Sequence, residues 1–141
     1  MLFKIATLVL VMSISSNSSA QQKYYYPPEF EGWTFVCLGT NGDHWYIKNE
    51  PVNKEYGEIK VWFKTLTVLK INKKIYKHVE GKELLVIKCK AKQSKTISTI
   101  YYSSTGKILL QKETSSASFE DVIPNSVGEL LLNKACELFN K

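Results

Sequence analysis

The 141-residue sequence contains no arginine: all 19 basic side chains are lysine. The planar fork that grips phosphate or carboxylate bidentately is therefore missing, which argues against a nucleic-acid partner. Histidine is nearly as scarce, with only His44 and His78, and neither has the ligand spacing of a metal site. No metal or other cofactor is expected. The Asp43-His44 pair could hold a proton or a metal, but beside Asn41-Gly42 it reads as turn geometry. There is no glycine-rich phosphate loop and no Gly-x-Ser-x-Gly elbow. Acidic side chains are scattered, with Glu120-Asp121 the only adjacent pair, too few for a paired-carboxylate hydrolase. No catalytic residue is assigned and a non-enzyme is expected. Long hydrophobic runs are also lacking: Ile5 to Met12 is far short of the roughly 20 apolar residues that cross a bilayer, so no transmembrane span is expected.

What is present is a foldable composition. Hydrophobic residues make up 44% of the chain, aromatic residues 12% and charged residues 23%, which excludes a disordered tail and allows one domain with a real core. The net charge is +6. Lys4, the apolar run Ile5 to Met12 and a serine-rich stretch ending Ser18-Ser19-Ala20 form an export signal, with cleavage expected after Ala20. A lipoprotein anchor would need a cysteine at that cleavage site, and the first cysteine is Cys37, so no such anchor is indicated. The mature chain would keep 121 residues and a charge of +5, Lys4 being the only charge removed. Residues 21 to 32 carry three tyrosines and Pro27-Pro28, which favour an extended arm that docks on its own sheet, docks on a partner or stays a loose leader.

Residues 33 to 141 form the domain. Short strands are expected from Trp33 to Thr114. Asn41-Gly42 suits a hairpin turn between Trp33–Leu38 and Trp45–Ile47, and Ser103 to Gly106 a second between Thr96–Tyr102 and Lys107–Glu113. In Glu58–Lys64, Ile59, Val61 and Phe63 share one face while Lys60, Trp62 and Lys64 share the other. In Leu84–Lys92, Leu85, Ile87, Cys89 and Ala91 oppose Lys88, Lys90 and Lys92. Such alternation predicts a sheet covered on one face only. Lys70 to Lys82 reads as a polar connection, with at most a short irregular strand at Lys74–His78.

At the C-terminus the period becomes helical. Ser126 and Glu129 form a capping box, and Val127, Leu131, Leu132, Ala135, Leu138 and Phe139 fall in one arc with Cys136 at its edge. This helix over 127–139 needs an apolar surface, and the sheet supplies one. In an oxidising compartment three cysteines favour one disulfide and one leftover thiol. Three pairings can be drawn. Cys89 on the core face of its strand and Cys136 on the helix margin are the favoured pair, and Cys37 is read as a bystander thiol in preference to a nucleophile activated by His44.

The one feature above background is the lysine face. Residues 48 to 95 hold 13 lysines against five glutamates, a local charge of +8 between mildly acidic ends. Lys60, Trp62, Lys64, Lys88, Lys90 and Lys92 are the candidate binding residues, with summed charge attracting an acidic partner and an exposed tryptophan as anchor. A solvated outer face whose lysines discourage aggregation is the competing reading.

Gly32-Trp33, Val61-Trp62, Cys89, Tyr101-Tyr102 before the turn Gly106-Lys107, and Ile123-Pro124-Asn125-Ser126-Val127-Gly128-Glu129 leading to Cys136 resemble the bacterial surface-adhesin protein E family across nearly the whole mature chain. The resemblance implies an α+β fold: a single antiparallel sheet of about six strands, with the C-terminal helix on one face held by a disulfide. It also implies adhesion to host extracellular-matrix components such as vitronectin and laminin, and a tendency to form a homodimer. The namesake adhesin is lipid-anchored, which this chain does not match, and no individual binding residue carries over. The function expected is an exported non-catalytic binding protein whose partner is a host matrix protein or an acidic glycan. The alternative is a periplasmic interaction or envelope-maintenance protein.

Overall fold

The computed structural model describes residues 28–140. The export signal expected over residues 1–20 and the arm up to residue 27 lie outside the described residues. The chain runs β1 (Trp33–Leu38), β2 (His44–Lys48), β3 (Asn53–Glu55), β4 (Glu58–Ile71), β5 (Lys74–Lys88), β6 (Gln93–Tyr102), β7 (Ile108–Glu113), β8 (Glu120–Asp121) and α1 (Val127–Phe139). Six strands form one path, β1-β2-β4-β5-β6-β7, with β3 added beside β4 and β8 beside β6. Every pairing is antiparallel. The two expected hairpins are present. In the first turn the Gly42 N–H donates to Gly39 O at 3.0 Å, and in the second Gly106 N–H donates to Ser103 O at 2.9 Å. Gly42 and Gly106 sit at φ +81° and +82°, where a side chain would be strained.

The segment read as a polar connection, Lys70 to Lys82, is instead part of the longest hairpin. β4 has 14 residues and β5 has 15, and they turn on Asn72-Lys73, both at positive φ. That two-residue turn matches the twist of the ribbon, and asparagine tolerates the left-handed region. β2 pairs with β4 only as far as Leu66, and β6 pairs with β5 only from Glu80 onward. Residues 67–79 therefore form a two-stranded ribbon beyond the sheet body, buried only at its base by Val79, with no core further out to impose an alternating pattern. At the other end of β5 the strand stops at Lys88, not Lys92. Cys89 to Lys92 is a tight turn in which the Lys92 N–H donates to Cys89 O at 3.3 Å and Lys92 itself has φ +52°. Ala91, expected on the core face, is exposed in that turn.

The core lies between the helix and one sheet face. Ile47, Ile59, Val61, Phe63, Leu85 and Ile87 are buried with Leu131, Leu132 and Ala135 of α1, while Leu130 on the far side of the helix is 48% exposed. The helix contacts β1, β2 and β4, so it covers only one half of that face. Its start is held as the capping pattern requires: the Glu129 N–H donates to Ser126 Oγ at 3.2 Å. The reciprocal bond lands one residue before the cap, with the Asn125 N–H donating to Glu129 Oε2 at 2.8 Å. Cys89 and Cys136 form the disulfide, with an S–S distance of 2.05 Å and Cα atoms 5.8 Å apart. It joins the turn after β5 to the last turns of the helix.

The helix covers the sheet on one face only, as the alternation predicts, yet the other face also buries apolar side chains. Leu84 and Val86, on the face away from the helix, are 9% and 7% exposed, and Tyr46 on the same face is 1% exposed. Two things cover them. Leu84 lies opposite Trp62 and Ser98, and Val86 opposite Lys60 and Lys95, so an indole and lysine stems flank these two residues. Tyr46 lies under two rings, Phe30 at 5.1 Å and Phe35 at 5.6 Å between centroids, both edge-on. Phe30 belongs to the described end of the arm, which folds back through a tight turn, Trp33 N–H to Phe30 O at 3.1 Å, onto its own sheet. Among the described residues no helix is long and apolar enough to cross a membrane.

Candidate binding face

Strand alternation sorts the lysines. The register of β2, β4, β5 and β6 places Lys48, Lys60, Lys64, Lys82, Lys88 and Lys95 on the face opposite the helix, together with Trp62, Glu58 and Glu80. Glu55 of β3, opposite Glu58, joins them. Six lysines against three glutamates leave +3 on this open face. Of the rest of the +8, the ribbon 67–79 carries four lysines and no acid, and the turn after β5 carries Lys90 and Lys92. The six residues singled out in the sequence therefore divide. Lys60, Trp62, Lys64 and Lys88 do share the open face. Lys90 and Lys92 are off it, exposed in the turn, because the strand ends before them.

Lys64 departs furthest from a solvated lysine. It is 6% exposed, its ammonium lies 4.2 Å from the Phe30 ring centroid and 4.7 Å from that of Trp33, and it reaches Glu80 at 3.5 Å. Burial pushes its pKa below the ordinary lysine value, with the Glu80 carboxylate opposing that shift. Lys64 thus fastens the arm to the sheet and is not available to a partner. Lys82 shares Glu80 at 3.2 Å, and Lys88 meets Glu58 at 3.4 Å. Lys60 and Lys95 have no ion pair among the described residues. Aromatic rings recur beneath these charges: Phe119 lies 3.9 Å from Lys88 Nζ and 4.6 Å from Lys95 Nζ, Trp33 lies 5.2 Å from Lys48 Nζ, and Tyr102 lies 5.2 Å from Lys82 Nζ. Sequence alternation could not find Lys95 or Phe119, because both are brought to the face by strands and loops 30 or more residues away from Lys60. A cleft of about 410 Å³ opens between Lys60 and Lys95, floored by Val86 and Ile97 and rimmed by Glu55 and the fully exposed Tyr56.

The same alternation assigns a different chemistry to the helix side of β5 and β6. Glu83, Thr99 and Lys112 line up across three strands, in a polar cleft of about 600 Å³ that also takes in Tyr101, Thr96 and Ser116. Burial raises the Glu83 pKa, and a long hydrogen bond from the Tyr101 hydroxyl at 3.4 Å partly offsets it. A carboxyl whose folded pKa is raised favours the fold below its unfolded value near 4.3 and loses that contribution as pH rises through the folded pKa. Glu83→Gln is therefore expected to raise the melting temperature at pH 7, the gain shrinking toward zero near pH 3. Melting curves of both proteins across that range test this; a gain independent of pH would show that burial of the charge is not the cause.

The remaining polar candidates serve the fold. Asp43 accepts a hydrogen bond from Thr67 Oγ1 at 2.7 Å, and its carbonyl accepts from the Gly39 N–H at 2.7 Å, so it ties the β1–β2 turn to β4. Burial pushes the Cys37 thiol up, the opposite of what an activated nucleophile needs. Among the described residues no group of three or more His, Cys, Asp or Glu side chains gathers as a metal site would.

The family model for surface-adhesin protein E matches residues 33–137, from the first residue of β1 to the last turn of the helix. The chain belongs to the surface-adhesin protein E family. The match takes in both disulfide cysteines and every strand of the described sheet. The Phe30 latch lies just outside it. No curated protein and no solved structure gives a significant match.

Proposed function

We propose that this surface-adhesin protein E domain is an exported, non-catalytic binding protein that attaches to an acidic component of the host matrix or cell surface through the open sheet face. The carrying observation is the arrangement of Lys60, Lys88 and Lys95 around Trp62, Phe119 and the cleft over Val86, on the face that the helix leaves uncovered. Lysine heads over apolar floor give charge attraction together with contact area. Membership of an adhesin family supports the same reading.

Heparin and purified matrix proteins, titrated with the chain beginning at Gln21 over a salt series, test it. Binding is expected at low salt and is expected to weaken as salt rises. The triple variant Lys60→Gln/Lys88→Gln/Lys95→Gln is expected to lose roughly tenfold in affinity, since three exposed charge contacts of about 0.5 kcal/mol each give about 1.5 kcal/mol. Salt-insensitive binding would detach the activity from these lysines. Protease shaving of intact cells reports on exposure: cleavage supports a surface location, and full protection favours the periplasmic alternative.

A further inference from the structure

The β4–β5 ribbon is a second charged surface, separate from the open face. Residues 67–79 pair only with each other, and the ribbon is anchored at its base, where Val79 is fully buried and Asp43 holds Thr67. Five residues from Thr67 to Ile71 extend it by about 16 Å at a strand's rise per residue. Its sequence is Thr-Val-Leu-Lys-Ile-Asn-Lys-Lys-Ile-Tyr-Lys-His-Val: Lys70, Lys73, Lys74 and Lys77 with no acidic residue. These four lysines are exposed. Between them stand Val68 and Ile75, each 60% exposed, and the half-buried Leu69, Ile71 and Tyr76, the last with Lys74 Nζ at 4.9 Å from its ring centroid. Among the described residues no other strand extends to cover this end. Exposed aliphatic side chains on a ribbon cost solubility and contribute nothing to a core, and two strands alone are marginally stable in water.

We propose that the ribbon tip is a membrane-docking element that inserts its aliphatic side chains into the interface of an anionic bilayer, with Lys70, Lys73, Lys74 and Lys77 on the headgroups. Charge of one sign fits an anionic surface, and the interleaved Val68, Ile71 and Ile75 need an apolar phase that a polymer of acidic sugars does not offer. The length of the ribbon suffices for the roughly 5–10 Å depth of the headgroup and acyl boundary. His78 at the base, at φ +55°, marks where the ribbon leaves the sheet.

The test uses the chain from Gln21, which retains the whole described fold and omits the apolar run of residues 5–12 that would itself bind lipid. Cosedimentation is measured with vesicles of phosphatidylglycerol mixed into phosphatidylcholine, with pure phosphatidylcholine vesicles, and with heparin in solution. The expected result is binding to the anionic vesicles that falls on the order of 1000-fold in Lys70→Gln/Lys73→Gln/Lys74→Gln/Lys77→Gln. Val68→Ser/Ile75→Ser is expected to lose about tenfold on vesicles while heparin binding is unchanged. Val68→Leu/Ile75→Leu is expected to bind vesicles like the parent, which separates lost insertion from a disrupted ribbon. Absence of binding to anionic vesicles overturns the proposal. So does full vesicle binding by the serine variant, which would make the ribbon a simple charge contact for an acidic polymer, and so does loss in the leucine variant. The open-face variant Lys60→Gln/Lys88→Gln/Lys95→Gln leaves the ribbon intact, so each surface fails or stands separately.

Discussion

Replacing both Cys89 and Cys136 with alanine is expected to lower stability by about 4 kcal/mol, the loop-closure value for a bridge across the observed separation of 47 residues. In a domain of this size that corresponds to a fall on the order of 15 °C in melting temperature. The bridge closes a loop from the end of β5 to the last turns of α1, and so restrains β6, β7 and the chain that returns to the helix. Its removal frees the unfolded chain far more than it alters native contacts. Denaturant titration of the double variant beside the parent measures the effect. A loss below about 1 kcal/mol would mean that the unfolded chain is already restrained there, so that the bridge adds little. Because total stability is about 5–15 kcal/mol, the reduced protein is also expected to unfold at markedly lower denaturant.

The second large effect is expected at Phe63. This side chain is fully buried at the centre of β4, opposite Ile47 of β2, in the cluster that receives Leu131, Leu132 and Ala135 of the helix. Phe63→Ala removes a ring from the joint between sheet and helix, and the strands on either side are held by their ladders and cannot collapse into the gap. A loss of about 3–5 kcal/mol is expected, in the range of large-to-small core changes that leave a cavity. Leu130→Ala, on the exposed side of the helix, is the control and is expected to cost less than about 0.5 kcal/mol beyond the small change in helix propensity. Thermal melts of the two variants compare them directly. Equal losses would mean that the helix docks in a different rotation from the one that buries Leu131 and Leu132.

Several features were legible from residue order because they depend on neighbours close in sequence. The helix boundaries at Val127 and Phe139 follow from a capping serine and a 3.6-residue period, both local. The face of β4 that carries Ile59, Val61 and Phe63 follows from a period of two. Those two periods favour the Cys89–Cys136 pair among three, and the structure forms it with Cys89 in the turn just past the end of β5. The family match over residues 33–137 agrees with the resemblance read from scattered tryptophans, tyrosines and the Pro-x-Ser segment before the helix.

Other features could not be read that way. Lys64 continues the pattern of an exposed lysine, and only the return of Phe30 and Trp33 over it makes it buried. Leu84 and Val86 alternate correctly with Leu85 and Ile87, yet both sets are buried, because Trp62 and lysine stems from other strands close over the second set. The ribbon 67–79 reads as a connection because beyond its base, where Val79 is buried and Asp43 holds Thr67, no core imposes a hydrophobic rhythm on it. The sequence by itself determined the two short hairpins, the core face of β4 and of β5 as far as Ile87, the helix and the net charge of its middle third. The tertiary structure decided which of those charges act together, placing +3 on the open face, +4 on the projecting ribbon and +2 in the turn after β5, with Lys54, Glu50 and Glu83 elsewhere adding −1. The physical reason is that alternation and helical period are set by chain geometry between near neighbours, whereas burial and charge density depend on which distant segments the strand register brings side by side.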